Sequence, residues 1–289
     1  MNNRNEMSRL TFADIVNDKK ITDGALTKDI EALKKYDASE NKRCFYGNKF
    51  LYHFQMENLC KVSIKGAPSL YDKLNDETMY TKLVQLMEKL DRTGSPANRL
   101  FEAERFNNAV VFFKATTAKY IYAKYKATSV LDPTAGWGGR MLGAYALGIR
   151  YTGIDTNTNM VSAYKGMMDK LNDTKLSMLF QSCLDTDFSQ IDYDFVLTSP
   201  PYINIEIYEH MTPYESKNAF YNVFLIPLLN KCLTHIKEGG RVCFNISPKM
   251  YKELINAGFR VCDEELELLQ QKRLGKDKND KIYIWLKHN

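Results

Sequence analysis

At 289 residues, 44% hydrophobic and 26% charged, the chain has the proportions of an ordinary soluble globular protein with room for a substantial core. No apolar run reaches the roughly 18 residues of a membrane span, and residues 1–6 lack the apolar core of a signal peptide, so no membrane partner is expected. The net charge of +5 is uneven: residues 1–126 carry 22 Lys+Arg against 16 Asp+Glu, and residues 127–289 carry 18 against 19, a bias that suits a polyanionic partner.

Residues 1–127 read as mostly helical. Leu26, Ile30 and Leu33 fall at helical spacing, as do Met79, Leu83, Leu86, Met87 and Leu90, before Thr93-Gly94-Ser95-Pro96 breaks the pattern. Between these helices, residues 43–54 mix bases with aromatics. Such a mixture can stack on nucleobases, but alternation of Phe45, Tyr46, Phe50 and Tyr52 across a short strand pair is the more ordinary expectation. One further helix is expected from about Phe106 to Tyr125, with Phe106, Val110, Phe113, Thr117 and Ile121 on its inner stripe.

From Thr128 the texture changes to alternating strand and helix. Strands are expected at 129–132, 151–155, 176–181, 195–199 and 241–246, with a helix at about 157–171. A helix near 216–236 should be bent or interrupted at Pro227, and another lies near 250–257. The segments 259–270 and 281–286 flank a charged loop at 275–280 and predict a β-hairpin. Five strand–helix units closed by a hairpin imply an α/β fold with a mostly parallel, doubly wound sheet and one antiparallel strand. The six cysteines form no C-x-x-C pair, and several sit in strand-like runs such as Val242-Cys243-Phe244. Buried free thiols in a reducing compartment are expected, without zinc or disulfides.

Two stretches carry the chemistry. After the first strand, Asp132-Pro133-Thr134-Ala135-Gly136-Trp137-Gly138-Gly139-Arg140 forms a glycine turn that opens a helix. Small residues there let a ligand approach the backbone. It is not the G-x-G-x-x-G fingerprint of dinucleotide sites, and an acid at its head suits a cationic group better than a pyrophosphate. Asp155, ending the second strand, is placed to accept ribose hydroxyls. Together they suggest a nucleoside with an amino-acid tail. The second stretch, Asp194 to Tyr202, begins as a buried strand and stops at two prolines, which cannot donate to a sheet ladder. Ser199, Pro200, Pro201 and Tyr202 thus form a rigid elbow at the sheet's carboxyl edge, where open α/β sheets bind ligands.

The pair Asp132-Pro133-x-x-Gly136-x-Gly138 and Thr198-Ser199-Pro200-Pro201-Tyr202, in this order, resembles the S-adenosylmethionine-dependent amino-methyltransferases of DNA and RNA bases, over roughly residues 106–289. The resemblance implies a Rossmann-like class I methyltransferase domain at 106–289, with a seven-stranded sheet and a carboxyl-terminal hairpin. It leaves residues 1–105 as a mainly helical region for recognition or assembly. It implies S-adenosyl-L-methionine as cofactor, held by Asp132, Thr134, Gly136, Trp137, Gly138 and Asp155. Asp185 or Cys183 would meet the adenine, and Phe113 with Lys114 would complete the pocket. Thr134 stands where Phe is common in that family. Trp137 and Arg140 replace small or hydroxyl residues, so that Trp137 would pack on the cofactor and Arg140 would meet a carboxylate or phosphate.

An exocyclic amino nitrogen is a poor nucleophile because its lone pair is delocalised into the ring. The Ser199 hydroxyl and Pro200 carbonyl could hold both N–H bonds and free that lone pair, while Tyr202 stacks on the base. Asn204, Glu206, Tyr208 and His210 follow on an expected substrate loop, Asn204 and Tyr208 as substrate contacts. DNA is the expected partner, its base flipped out of the duplex, and the protein would be cytoplasmic or wherever its DNA resides. RNA is the alternative polymer, and a catalytically silent nucleic-acid-binding relative is a second alternative. Serine at the head of the motif leans, by resemblance, to cytosine N4 over adenine N6. A homodimer or partner subunit is a further expectation.

Overall fold

The computed structural model describes residues 8–40, 42, 44–63, 66–107, 110–201, 214–268 and 280–287. Its centre is a seven-stranded sheet: β1 (Ser129–Asp132), β2 (Arg150–Asp155), β3 (Leu176–Phe180), β4 (Phe195–Thr198), β5 (Arg241–Ile246), β6 (Glu264–Glu267) and β7 (Lys281–Leu286), in spatial order β3-β2-β1-β4-β5-β7-β6. The first five strands pair in parallel, and β7 pairs antiparallel with both β5 and β6. The Rossmann-like α/β class, the mostly parallel sheet and the closing antiparallel pair expected from the sequence are therefore observed.

The sheet is apolar because both faces are covered. Its strands alternate between two clusters. Val130, Tyr151, Phe195, Leu197, Cys243, Ile282 and Ile284 join one face. Leu131, Ile154, Val196, Val242, Phe244, Tyr283 and Trp285 join the other. On the first face lie α7 (Ala115–Lys124), α8 (Gly139–Leu147) and α9 (Val161–Leu171). On the second lie α10 (Lys217–Phe220), a π turn (Tyr221–Leu225), α11 (Ile226–His235) and α12 (Pro248–Asn256). The interruption expected at Pro227 takes the form of that π turn, since a proline offers no N–H to the preceding turn.

Among the described residues of the amino-terminal 1–105, the buried apolar side chains divide between two cores. Leu26, Ile30 and Leu33 of α2 (Asp23–Lys35) and Phe50 and Leu51 of α3 (Asn48–Cys60) join the first face of the sheet. Thr22 caps α2, Asp23 lies in its first turn and Lys34 and Lys35 in its last, all in the sense the helix dipole favours. Beyond its end, the buried Lys119 of α7 donates to the carbonyls of Leu33, Lys34 and Tyr36, at 3.0, 2.7 and 2.6 Å, which fixes α2 to the sheet domain. A third cluster joins the outer side of α3 to α1 (Phe12–Asp18), α4 (Leu70–Asn75), α5 (Glu77–Leu90) and α6 (Pro96–Asn107).

Two local expectations are corrected. Where a strand pair is expected within 43–54, residues 48–54 are the start of α3, opened by Gly47 at φ +90°, a conformation that suits glycine. Phe50 and Phe54 lie one helical turn apart with ring centroids at 4.9 Å, while Phe45 and Tyr46 precede the helix and are exposed. The single helix expected from Phe106 to Tyr125 is two helices, because Lys114 is extended (ψ 130°) where α7 begins. Phe106, expected on the inner stripe, is 60% exposed.

Candidate active site

The parallel strands run outward from β1 to β2 and β3 on one side and to β4 and β5 on the other. The carboxyl ends of β1 and β4 therefore flank the point where strand order reverses, and a crevice opens there in doubly wound sheets. β1 delivers the glycine turn to this point and β4 delivers the elbow. Asp194 sets their common level: its carboxylate accepts the Thr128 and Ser129 N–H groups, both at 3.0 Å, joining the start of β4 to the start of β1.

The glycine turn is held by three bonds, two to β2 and one to α9. The Ala135 N–H donates to the Ile154 carbonyl at 2.9 Å, the Gly136 N–H to the Asp155 carboxylate at 2.8 Å, and the Tyr164 hydroxyl to the Gly136 carbonyl at 2.8 Å. Gly136 has φ +57°, and a Cβ there would make only ordinary contacts, 3.9 Å from Arg140 Nη2 and from the Thr134 carbonyl oxygen, so a methyl group fits without a clash. Gly139 has the opposite role: a Cβ there would lie 1.8 Å from the Phe113 carbonyl oxygen. Phe113 thus packs on the helix that leaves the turn, and its ring lies 5.3 Å from the Arg140 guanidinium carbon. Asp155 also accepts the Asn157 N–H at 2.9 Å. Burial raises its carboxyl pKa, against the lowering pull of those two N–H donors.

The head of the turn departs from the sequence expectation. Asp132 is fully buried, and its carboxylate accepts Arg140 Nε at 2.7 Å, the Tyr151 hydroxyl at 2.7 Å and the Thr198 hydroxyl at 2.9 Å. The ion pair closes inside the fold, with side-chain exposures of 5% for Arg140 and 0% for Asp132. Arg140 also donates to the Thr134 carbonyl. The structure engages this pair internally: the Asp132 carboxylate is taken up by Arg140, Tyr151 and Thr198, and Arg140 by Asp132 and the Thr134 carbonyl. Each is the other's partner, brought together by the first turn of α8. Trp137, expected against the cofactor, is 8% exposed and belongs to the core, its ring 6.0 Å from that of Phe112.

Thr198 joins the two motifs. Its hydroxyl donates to Asp132, stands 2.6 Å from the Thr134 hydroxyl and accepts the Thr134 N–H at 3.2 Å. With one proton and two lone pairs it can serve all three contacts at once. Ser199 follows, half-buried, its hydroxyl 3.4 Å from the Asn245 carbonyl and 3.3 Å from Asn245 Nδ2. Pro200 is buried and Pro201 half-buried. Tyr202, Asn204, Tyr208 and the neighbouring Glu206 and His210 lie outside the described residues.

After β3, the chain folds over Ser182, whose carbonyl accepts the Asp185 N–H at 3.2 Å and the Thr186 hydroxyl at 2.8 Å. Lys231 of α11 donates to the carbonyls of Cys183 and Leu184 and anchors this turn. Asp185 is exposed, while Cys183 is buried and its thiol is pushed up to about 12 by burial. A separate cleft bounded by Tyr52, Leu59, Phe101, Arg105 and Val110 lies in the amino-terminal region and shares no residue with this site.

Thr198, Tyr151, Tyr164 and Asn245 were not among the residues expected from sequence. Thr198 stood inside the second motif and could have been weighed there. Tyr151 and Asn245 gave no signal beyond their places in strands, and Tyr164 none beyond its place in a helix.

No family model matches the chain, and no curated protein matches it. Solved structures do. An rRNA methylase from Streptococcus thermophilus is 12% identical, with 61% of this chain and 97% of that one covered and a TM-score of 0.41. TrmN from Thermus thermophilus is 14% identical over 66% of this chain and 53% of its own, TM-score 0.46. An S-adenosylmethionine-dependent O-methyltransferase from Thermotoga maritima is 12% identical over 64% and 70%, TM-score 0.44. Likeness of this size carries no argument about substrate or activity.

Proposed function

We propose that this chain is an S-adenosyl-L-methionine-dependent methyltransferase that modifies the exocyclic amino group of a nucleobase. DNA is the favoured polymer, and cytosine N4 is favoured over adenine N6. The observation that carries the reading is the Thr134–Thr198 contact, which holds the glycine turn and the Ser-Pro-Pro elbow side by side at the switch point.

The residues present fit the cofactor. Gly136 has no atom within 3.9 Å of the place a Cβ would take, which leaves its backbone approachable, and each oxygen of Asp155 accepts one backbone N–H and keeps acceptor capacity for a ribose hydroxyl. Asp185, exposed on the turn after β3, is the candidate for the adenine edge. Bound there, the cofactor supplies a methyl group on a cationic sulfonium with a neutral thioether as leaving group. The protein's own task is then to position the target nitrogen. The Ser199 hydroxyl and the Pro200 carbonyl accept its two hydrogens and turn its lone pair out of the ring, and Tyr202 stacks on the base. A strong general base is not needed, since the nitrogen can release its proton after transfer. The positive excess of residues 1–126 suits the polyanion, and residues 1–105 are the proposed recognition or assembly region.

Incubation with methyl-labelled cofactor and duplex DNA, single-stranded DNA or total RNA tests the proposal. Label in DNA, lost with Ser199→Ala, is the expected result. Label in RNA alone would transfer the reading to an RNA enzyme. Label in neither, with cofactor bound, would refute base methylation. Absence of cofactor binding by calorimetry would favour a silent nucleic-acid-binding relative.

A further inference from the structure

Two adjacent aromatic rings stand outside the core beside the site. Phe45 and Tyr46 are 50% and 42% exposed. A single exposed ring is ordinary, but these two are held outward by a fixed backbone. The Cys44 carbonyl accepts the Thr116 hydroxyl of α7 at 3.1 Å, and the Phe45 carbonyl accepts the Asn48 N–H at 3.0 Å. Gly47 then presses on α7 and α8: a Cβ there would lie 3.2 Å from Ala115 Cβ and 3.3 Å from Leu142 Cδ1. The Tyr36 ring supports Tyr46 from the side, with centroids 6.3 Å apart. Rings fixed in this way lose little freedom when a ligand covers them.

Their position and surrounding charge define what they can meet. The Lys114 ammonium stands 4.9 Å from the Phe45 ring centroid, and Lys114 follows Phe113 at the start of α7. The Phe113 carbonyl lies against Gly139, the first residue of α8, where the glycine turn ends. The rings therefore lie toward the carboxyl edge of the sheet, the edge that carries the elbow. Residues 34–49 carry five Lys+Arg against two Asp+Glu. Lys49 in the first turn of α3 and Lys114 at the N-cap of α7 add their charges where each helix dipole is already positive. Exposed aromatics among cations match a single strand of nucleic acid, whose phosphates meet the charges while its unpaired bases stack on the rings. In a duplex the base faces are covered by their neighbours.

We propose that Phe45 and Tyr46 form a stacking platform for unpaired bases flanking the target nucleotide, with Lys49 and Lys114 at the phosphates between them. The preferred substrate is then single-stranded, so that no duplex has to open to free the target base. The platform rests on the reading of the elbow as the target-base site and assigns that site the strandedness of its substrate.

The test measures binding of the full-length protein to three fluorescein-labelled probes of equal length by anisotropy: an oligothymidylate, an abasic oligomer with the same backbone, and an oligothymidylate–oligoadenylate duplex. Thymine bears no exocyclic amino group, so single-strand binding is read apart from methyl transfer. Wild-type protein should bind the oligothymidylate more tightly than the abasic oligomer by roughly tenfold or more, and more tightly than the duplex. Phe45→Leu with Tyr46→Leu keeps apolar bulk and removes the flat faces. It should abolish the preference over the abasic oligomer while melting temperature and S-adenosyl-L-homocysteine affinity stay unchanged. Phe45→Trp with Tyr46→Trp should retain the preference. Lys114→Gln should weaken both single-stranded probes alike and reduce their salt dependence. Equal binding of oligothymidylate and abasic oligomer by wild-type protein, or tighter binding of the duplex, overturns the platform and leaves the proposed function to the labelled-cofactor assay. A preference that survives the leucine variant places stacking elsewhere and also overturns it. A dimer in sedimentation that the leucine variant dissociates, with probe binding unchanged, would assign the rings to a second copy of this chain instead.

Discussion

The Asp132–Arg140 pair gives the sharpest prediction, because the sequence expects both residues at a ligand and the structure closes them on each other. Arg140→Met keeps much of the side-chain volume and removes the charge. Removing one partner of a buried ion pair costs about 3–5 kcal/mol, since the other charge stays buried. Asp132 would retain the Tyr151 and Thr198 hydroxyls, each worth about 1 kcal/mol, so the loss should fall near 3 kcal/mol. At about 2–4 °C per kcal/mol for a chain of this size, the melting temperature should drop by roughly 6–12 °C. Thermal unfolding followed by fluorescence of the buried Trp137 and Trp285 reads the change. Adding Asp132→Asn, which removes the stranded charge, should recover at least about 1 kcal/mol, a coupling expected of residues in contact. Arg140→Met with an unchanged melting temperature but weakened cofactor binding would refute the pairing and return Arg140 to the ligand.

Other substitutions separate support of the turn from contact with a ligand. Gly139→Ala places a Cβ 1.8 Å from the Phe113 carbonyl oxygen and should destabilise by at least about 1–3 kcal/mol. Gly136→Ala meets only ordinary contacts at 3.9 Å and has its positive φ to bear, so it should fold, at a cost of about 1–2 kcal/mol, yet bind cofactor more weakly; melting curves and calorimetry distinguish the two. Thr198→Val strands an Asp132 lone pair and the Thr134 N–H, at about 1–3 kcal/mol, whereas Thr198→Ser should lie within about 1 kcal/mol of wild type in urea unfolding. Because burial raises the Asp155 pKa and its ionised form is the better acceptor for hydroxyls, cofactor affinity should fall on acidification at a pH above the usual carboxylate value of 3.8, and Asp155→Asn should flatten that profile. For folding alone the sign is opposite. A raised carboxyl pKa means that the folded state holds the proton more tightly, so Asp155's contribution to stability declines as pH rises from 3.8 to its folded value.

The sheet was legible in the sequence because parallel strands buried on both faces must read as short apolar runs, as Val130-Leu131 and Phe195-Val196-Leu197 do. The elbow was legible because two consecutive prolines leave a strand no way to continue. What escaped was decided by contacts distant in sequence. The aromatics at 45–54 carry alternation and helical spacing together, and the packing of Phe50 and Leu51 into the core shared with α8 settles the matter for helix. Asp132 reads as a free acid until α8 swings Arg140 back onto it. Thr198 reads as one more strand residue until β1 and β4 lie side by side. Asn245 carries no local signal, since only its position across the β4–β5 pair brings its amide to Ser199.

The central claim is that the elbow presents an exocyclic amino nitrogen of a nucleobase for methylation. Mass spectrometry of nucleosides, from nucleic acid treated with the wild-type protein and methyl-labelled cofactor, tests it most directly. The account predicts label in N4-methylcytosine or N6-methyladenine nucleosides, absent with Ser199→Ala. Label at a ring carbon, a ring nitrogen or a sugar oxygen, or amino methylation undiminished in Ser199→Ala, would contradict it.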